Sequence, residues 1–261
     1  MPTTTYDAIG TGYDGTRHAD PYLVERLDAL LADAGAPILD LGCGTGNYTL
    51  ALAERGRTMI GVDPSTRMLD EARSKSDAIA WTLAGAEGLP FADRWFAAAI
   101  ATLTIHHWTD LHVGFAELAR VLRPGARVVV FTSTPEQMRG YWLNHYFPTM
   151  LERSMAVMPS LAVVGEALTF AGFVAIRSEP YAVREDLRDL FLYSGKHAPA
   201  RYLDPSFRRA ISSFAALAEP DELSAGLERL ADDLEHGRWA EVSARATGEL
   251  GDYLFVVAER G

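Results

Sequence analysis

Two aspartates, Asp40 and Asp63, close two short apolar runs, and three glycines stand between them at alternate positions, Gly42, Gly44 and Gly46. The chemistry this pattern suits is the gripping of a nucleoside. Residues 38–49 read ILDLGCGTGNYT, a strand pattern that ends in an acid and runs through glycine into a helical pattern. Glycine lets a chain turn sharply and lay bare backbone against a bound molecule, because no Cβ intervenes. The helix beyond presents its first N–H groups to the same cleft, with Thr45 or Asn47 as candidate caps. Thr58–Val62 is a second strand pattern, ending at Asp63. An acid at the tip of the neighbouring strand is where a ribose is held through both hydroxyls.

The spacing narrows the ligand further. A dinucleotide site calls for G-x-G-x-x-G, the last glycine allowing close helix packing beside a pyrophosphate. Here the third glycine falls one place early, at Gly46, and Asn47 follows it. Asp40, just before the bend, would repel a phosphate and suits a ligand bearing an ammonium and a sulfonium. At this point the chain resembles the class I S-adenosylmethionine-dependent methyltransferases. ILDLGCGTG (38–46) is similar to their first motif, GVDPS (61–65) to the second and GAEGLPF (85–91) to the adenine-side segment. TIHHW (104–108) resembles the end of their fourth strand, and LRPGARVVV (122–130) the turn into the fifth. The resemblance spans residues 36–134, and its wording is nearest to the ubiquinone/menaquinone-type small-molecule methyltransferases.

The resemblance implies S-adenosyl-L-methionine as cofactor and a cofactor set of Tyr13, Arg17, Asp40, Gly42, Gly44, Asp63, Pro64, Met68, Ala86, Glu87 and Thr102. Asp63 would hold the ribose, and Asp40 the amino group through water, with the Gly42 carbonyl as direct partner. Met68 would either cover one adenine face or be an ordinary core methionine. Many relatives read Gly-Asp-Ala-Glu where this chain reads Ala84-Gly85-Ala86-Glu87, so the usual aspartate at the adenine edge is missing. In the N-terminal arm, Tyr6, Tyr13 and Arg17 would either fold over the cofactor, Arg17 meeting its carboxylate, or have no partner.

Methyl transfer from a sulfonium is an in-line displacement. It demands an aligned nucleophile and a site shielded from water, and a general base where the acceptor is a hydroxyl or ring carbon. His107 and His145 are the candidate acid–base groups, since imidazole titrates near neutral pH. A structural, hydrogen-bonded role is the alternative for His107 and its neighbour His106. Trp142, His145, Tyr146, Phe147, Tyr193 and His197 are the expected acceptor pocket, an aromatic cavity with a few polar anchors. The plain alternative is that these aromatics pack a cap onto the sheet.

The elements that must position these residues alternate. Strand patterns fall near 37–41, 58–63, 79–84, 97–102 and 127–133, and helical patterns near 46–55, 65–76 and 110–122. Asp20-Pro21 opens a further helix expected to reach Ala34, with Leu23, Leu27, Leu30 and Leu31 on one face. Apolar, non-alternating strands separated by helices predict an α/β fold, a largely parallel sheet covered on both sides. Family resemblance makes it Rossmann-like, seven-stranded and ordered 3-2-1-4-5-7-6, with the apolar run Tyr253–Ala258 antiparallel between the fifth and sixth strands. One methyltransferase domain is expected over 1–261. It would comprise a mobile arm (1–19), a cofactor-binding core (20–135), helical cap insertions (136–156 and 184–248), and closing strands and helix (157–183 and 249–261).

Composition excludes some partners. The 35 acidic against 24 basic residues give a formal net charge of −11, and no basic run interrupts it. Nucleic-acid binders need a positive footprint to replace phosphate counterions, and anionic membrane repels an acidic surface. The single cysteine, Cys43, forms no intramolecular disulfide and reads as a small packable residue in the glycine bend. There is no apolar window long enough for a membrane span and no signal-peptide pattern, which together predict a cytoplasmic protein without a membrane or nucleic-acid partner. The expected function is methyl transfer to oxygen, nitrogen or carbon of a small molecule, and no metal site is expected. A macromolecular methyltransferase and a non-catalytic S-adenosylmethionine binder stay open, as does the choice between monomer and homodimer.

Overall fold

The computed structural model describes residues 18–246, 248 and 250–261. Tyr6, Tyr13 and Arg17, named above as candidates for closing over the cofactor, lie outside the described residues.

Seven strands form one sheet: β1 (Ile38–Leu41), β2 (Met59–Asp63), β3 (Ala80–Leu83), β4 (Phe96–Thr102), β5 (Leu122–Thr132), β6 (Phe173–Tyr181) and β7 (Tyr253–Arg260). Their order is β3-β2-β1-β4-β5-β7-β6, parallel throughout except that β7 runs antiparallel to β5 and β6. The expected α/β sheet, its order and its reversed strand are all present. In the centre, Ile38 pairs with Met59 on one side and Ala98 on the other, and Leu41 pairs with Val62. This register brings the ends of β1, β2 and β4 to one rim.

Side chains on neighbouring strand positions point to opposite faces, so a strand covered twice must be apolar throughout. Along β5, Val129 and Phe131 enter one core while Val128 and Val130 enter the other. Ile38 and Leu39 of β1 divide in the same way. Helix Pro21–Leu30 buries Leu23, Val24, Leu27 and Leu30, and Asp20 caps it by accepting from the Leu23 N–H at 3.0 Å. It ends sooner than expected, because the chain turns at 31–33 ahead of Gly35 and Pro37. Strand β5 starts earlier than expected, since Leu122 already pairs with Phe96 across an irregularity that lets Arg123, Pro124 and Gly125 bulge into solvent.

The helices after β5 form a second layer. Thr134 and Gln137 reciprocally cap the turn Pro135–Met138, and Leu143–Tyr146 and Pro148–Val157 follow. They pack against helices from much later in the chain, Ser212–Ala216 and Pro220–Glu235, which in turn hold Pro205–Arg209 and Trp239–Ala244. Aromatic rings join the two sets: Phe147 meets Phe214 edge-on at 5.1 Å, and Trp142 meets Tyr202 at 5.4 Å. Gly226 allows the close approach of Pro220–Glu235, since a Cβ there would lie 2.5 Å from the Phe147 ring. No helix among the described residues is long and apolar enough to cross a membrane.

Candidate functional site

The rim formed by β1, β2 and β4 holds the acid–glycine–acid arrangement. The Gly42 and Cys43 N–H groups both donate to the Val62 carbonyl, at 2.7 and 3.0 Å, which turns the chain toward β2. Gly42 has φ +75°, and a Cβ on it would fall 2.0 Å from the Thr104 hydroxyl oxygen, so no other residue fits. Gly44 differs: a Cβ there would meet nothing within 4 Å, because its face opens on the cavity. Asp63 holds the bend in place. Its Oδ2 accepts from the Gly44 N–H and its Oδ1 from the Ser65 N–H, both at 2.9 Å. Neither Thr45 nor Asn47 caps helix Asn47–Glu54, contrary to expectation. Left-handed Gly46 takes the cap position, and the Asn47 side-chain oxygen accepts from Lys75 Nζ instead.

Asp40 is 2% exposed and accepts from the Thr49 hydroxyl at 2.6 Å. Burial disfavours its charged form and pushes its pKa up to about 7, a rise that the Thr49 bond opposes and the nearby Asp63 charge assists. Burial likewise pushes the Cys43 thiol up, which keeps it a poor nucleophile.

These groups line a cavity of about 100 Å³. Of the residues expected to meet a cofactor, Asp40, Gly42, Gly44, Asp63, Met68 and Thr102 come together here, and His107 joins them. Met68 is both buried and part of the wall, so its two readings coincide. Pro64, Ala86 and Glu87 do not line the cavity. Pro64 faces solvent, and Ala86 is buried in the core beneath β2. The Glu87 carboxylate turns to the N–H groups of Thr109 and Asp110, at 2.6 and 3.3 Å, because the turn before helix Leu111–Val121 offers it two donors.

One wall residue escaped sequence reasoning altogether. Asp189 is 1% exposed, lines the cavity and accepts from the Tyr48 hydroxyl at 3.0 Å. It comes from the stretch REDLRDLF, where nothing separates one acid from the next. With it, three carboxylates and no lysine or arginine stand among the described lining residues. Thr102 adds a buried hydroxyl with no hydrogen-bond partner among the described residues. A set of acids, an unmatched hydroxyl and a glycine face without a Cβ fits a cationic nucleoside and opposes a pyrophosphate.

A second cavity, of about 400 Å³, adjoins the first and shares Leu103 and His107 with it. Leu103 holds a left-handed conformation, φ +52°, a strain of about 1–3 kcal/mol that the packing around it sustains. His106 and His107 lie on the single turn Ile105–His107 with their rings 3.9 Å apart. Both pKa values fall, that of His106 to about 3 through burial and the neighbouring imidazole, that of His107 to about 4 through burial. His107 is reached by solvent through the cavities, yet protein surrounds it closely enough to keep it neutral at pH 7.

None of the residues of the expected aromatic pocket lines either of these two cavities. Tyr146, Phe147 and Tyr193 are packed in the core, and Trp142 is buried against them but lines a separate depression together with His145. Tyr193 stacks on Tyr141 with centroids 4.0 Å apart, and its hydroxyl accepts from the Trp142 N–H. A His197 ring nitrogen meets the Val183 carbonyl at 2.7 Å. His145 is exposed on a separate depression beside Arg139 and Arg245, away from the rim. Large aromatic surfaces are the strongest means of joining segments distant in sequence, and packing has used these up.

A reversed seventh strand beside a glycine bend flanked by strand-end acids defines the S-adenosylmethionine-dependent methyltransferase class. Comparisons with known proteins agree. Residues 39–130 match a family described as a methyltransferase domain. A demethylmenaquinone methyltransferase of Beutenbergia cavernae is 31% identical over 166 residues, 59% of this chain and 69% of that protein. An uncharacterised methyltransferase of Mycobacterium tuberculosis is 38% identical over 120 residues, 46% of this chain and 49% of that protein, so the chain spans about half its length. A crystal structure from Anabaena variabilis, described as a candidate methyltransferase of an antibiotic biosynthesis pathway, superposes with a TM-score of 0.80 at 30% identity. That match covers 93% of this chain and 98% of the other. The chain belongs to the class I S-adenosylmethionine-dependent methyltransferases.

Proposed function

We infer that the protein binds S-adenosylmethionine in the first cavity and methylates a small molecule held in the second. The observation that carries this reading is the shared wall: Leu103 and His107 line both cavities, so a ligand in one faces a ligand in the other. S-Adenosylmethionine, when bound, supplies a methyl group already activated by the sulfonium.

The remaining work falls to this chain. Asp63 holds the ribose hydroxyls, Asp40 and the Gly42 carbonyl orient the amino group, and Met68 covers the adenine. Asp189 adds negative charge on the far wall. The cap helices exclude water and align the acceptor, the main sources of rate in a displacement that needs no covalent intermediate. His107, neutral and on the shared wall, accepts the acceptor's proton where the acceptor is a hydroxyl or ring carbon.

The relatives named for demethylmenaquinone methylation support a small aromatic or quinol-like acceptor. A macromolecular acceptor fits less well, since no lysine or arginine lines either cavity among the described residues. The test is incubation of purified protein with S-adenosylmethionine and a set of quinols and phenols, reading S-adenosylhomocysteine by chromatography. Calorimetry in parallel compares S-adenosylmethionine with NAD. Binding of NAD in preference to S-adenosylmethionine would overturn the reading, as would turnover of peptide or RNA acceptors alone.

A further inference from the structure

The second cavity has a selective chemical character. Its wall is largely apolar, through Leu103, Met138, Met158 and Phe191 among others, and it carries serines and two histidines. No lysine, arginine, aspartate or glutamate lines it among the described residues. Some of its polar groups are already engaged. The Ser133 hydroxyl bonds to the Tyr141 hydroxyl and the Asp252 carbonyl, and the Tyr253 hydroxyl accepts from the Tyr193 N–H.

Two are not. Ser154, on helix Pro148–Val157, and His106, on the turn after β4, line the cavity from different elements. The Ser154 hydroxyl oxygen and His106 Nδ1 are both buried without a hydrogen-bond partner among the described residues. Such groups are rare in folded proteins and each costs about 1–3 kcal/mol, a cost that a ligand supplying the missing bond removes. A charged ligand finds no counter-ion on this wall, and burying an unpaired charge is far more costly than burying a hydroxyl. The lowered basicity of both histidines adds to this, since neither brings a cation at neutral pH.

We propose that the acceptor is an uncharged, mainly apolar molecule whose oxygen function is held by Ser154 and His106, which makes these two the specificity-determining residues of the second cavity. This rests on the reading that the second cavity takes the acceptor. The volume of about 400 Å³ is sufficient, lying within the roughly 300–1,000 Å³ of small-molecule sites.

The experiment uses the full chain saturated with S-adenosylhomocysteine and a panel of naphthols and alkylphenols, each paired with its carboxylate isostere. Saturation-transfer NMR finds the binders and calorimetry measures them. Binding should favour the neutral member of each pair by at least tenfold. Ser154→Ala and His106→Phe should each weaken the bound phenols by about threefold to tenfold, the loss of one hydrogen bond. Ser154→Ala should leave S-adenosylhomocysteine affinity unchanged, because Ser154 does not line the first cavity. The proposal is overturned if no neutral member binds, if carboxylates bind as tightly, or if both variants behave as wild type. Failure of the wild-type chain to take up S-adenosylhomocysteine is a different result, which removes the proposed function and this inference together.

Discussion

The Asp63 carboxylate accepts the Gly44 N–H at 2.9 Å, tying the tip of one strand to the bend that leaves its neighbour. The acid thereby shapes the glycine bend and presents itself at the cavity in one arrangement. Replacing Asp63 with Ala should therefore have two effects. S-Adenosylmethionine affinity should fall by about 1–3 kcal/mol, the cost of unmatched polar partners, and the melting temperature should drop as the Gly44 and Ser65 donors lose their acceptor. Calorimetry and thermal unfolding read the two effects separately. Asp63→Asn should recover part of the melting temperature and less of the affinity.

Asp40 should make cofactor affinity depend on pH. Its pKa in the fold is about 7, raised from 3.8, and a cationic ligand favours its ionised form. Binding should release a proton near neutrality, and affinity should rise by about tenfold between pH 6 and pH 8. Calorimetry in buffers of different ionisation enthalpy measures the proton directly. The same shift acts on the free protein with the sign of a raised pKa. The stability it contributes is complete below 3.8 and is lost as pH rises through about 7. Asp40→Asn should abolish both trends.

The paired histidines act in the opposite sense. Their folded-state values, about 3 and about 4, lie below the ordinary 6.5, so between these limits the unfolded chain binds more protons. The stability they contribute is complete above 6.5 and is lost as pH falls through 4 toward 3. Denaturant titrations at pH 7.5 and about pH 5 should show this loss, reduced in His106→Phe. In catalysis, His107→Asn should lower kcat by about 10²-fold at most, since an imidazole of such low basicity is a weak base, with S-adenosylmethionine affinity little changed. His107 is neutral at ordinary pH, so its protonation should place no acid limb on the rate between pH 5.5 and 8.

Two glycines of one bend should respond differently to alanine. Gly42→Ala drives a methyl into Thr104 and should destabilise the fold by about 1–3 kcal/mol from overpacking, added to the roughly 1–2 kcal/mol of a left-handed alanine. Gly44→Ala meets no protein atom, so its stability cost should stay near the 1–2 kcal/mol of a left-handed alanine. Its methyl would enter the cavity, and the larger loss should appear in cofactor affinity. Thermal unfolding with and without S-adenosylhomocysteine separates the two outcomes.

Sequence alone settled what depends on neighbours along the chain. Apolar runs bounded by glycine and acid fixed the strands, and the one-place shift of Gly46 distinguished this site from a dinucleotide site. The position of Asp63 after its strand placed it at the rim, because strand ends in a parallel sheet share one edge. Residues whose surroundings come from far away were not legible. Trp142, Tyr146 and Tyr193 have the composition of a binding pocket, yet whether an aromatic ring meets a ligand or another ring is decided by the segment folded opposite it. Glu87 turned from the adenine side to the Thr109 and Asp110 N–H groups, which no local pattern announces. Asp189 reached the first cavity, and Ser154 the second, only through the return of the chain over the sheet. Periodicity reports which face a side chain takes, whereas tertiary packing alone decides what stands across from that face.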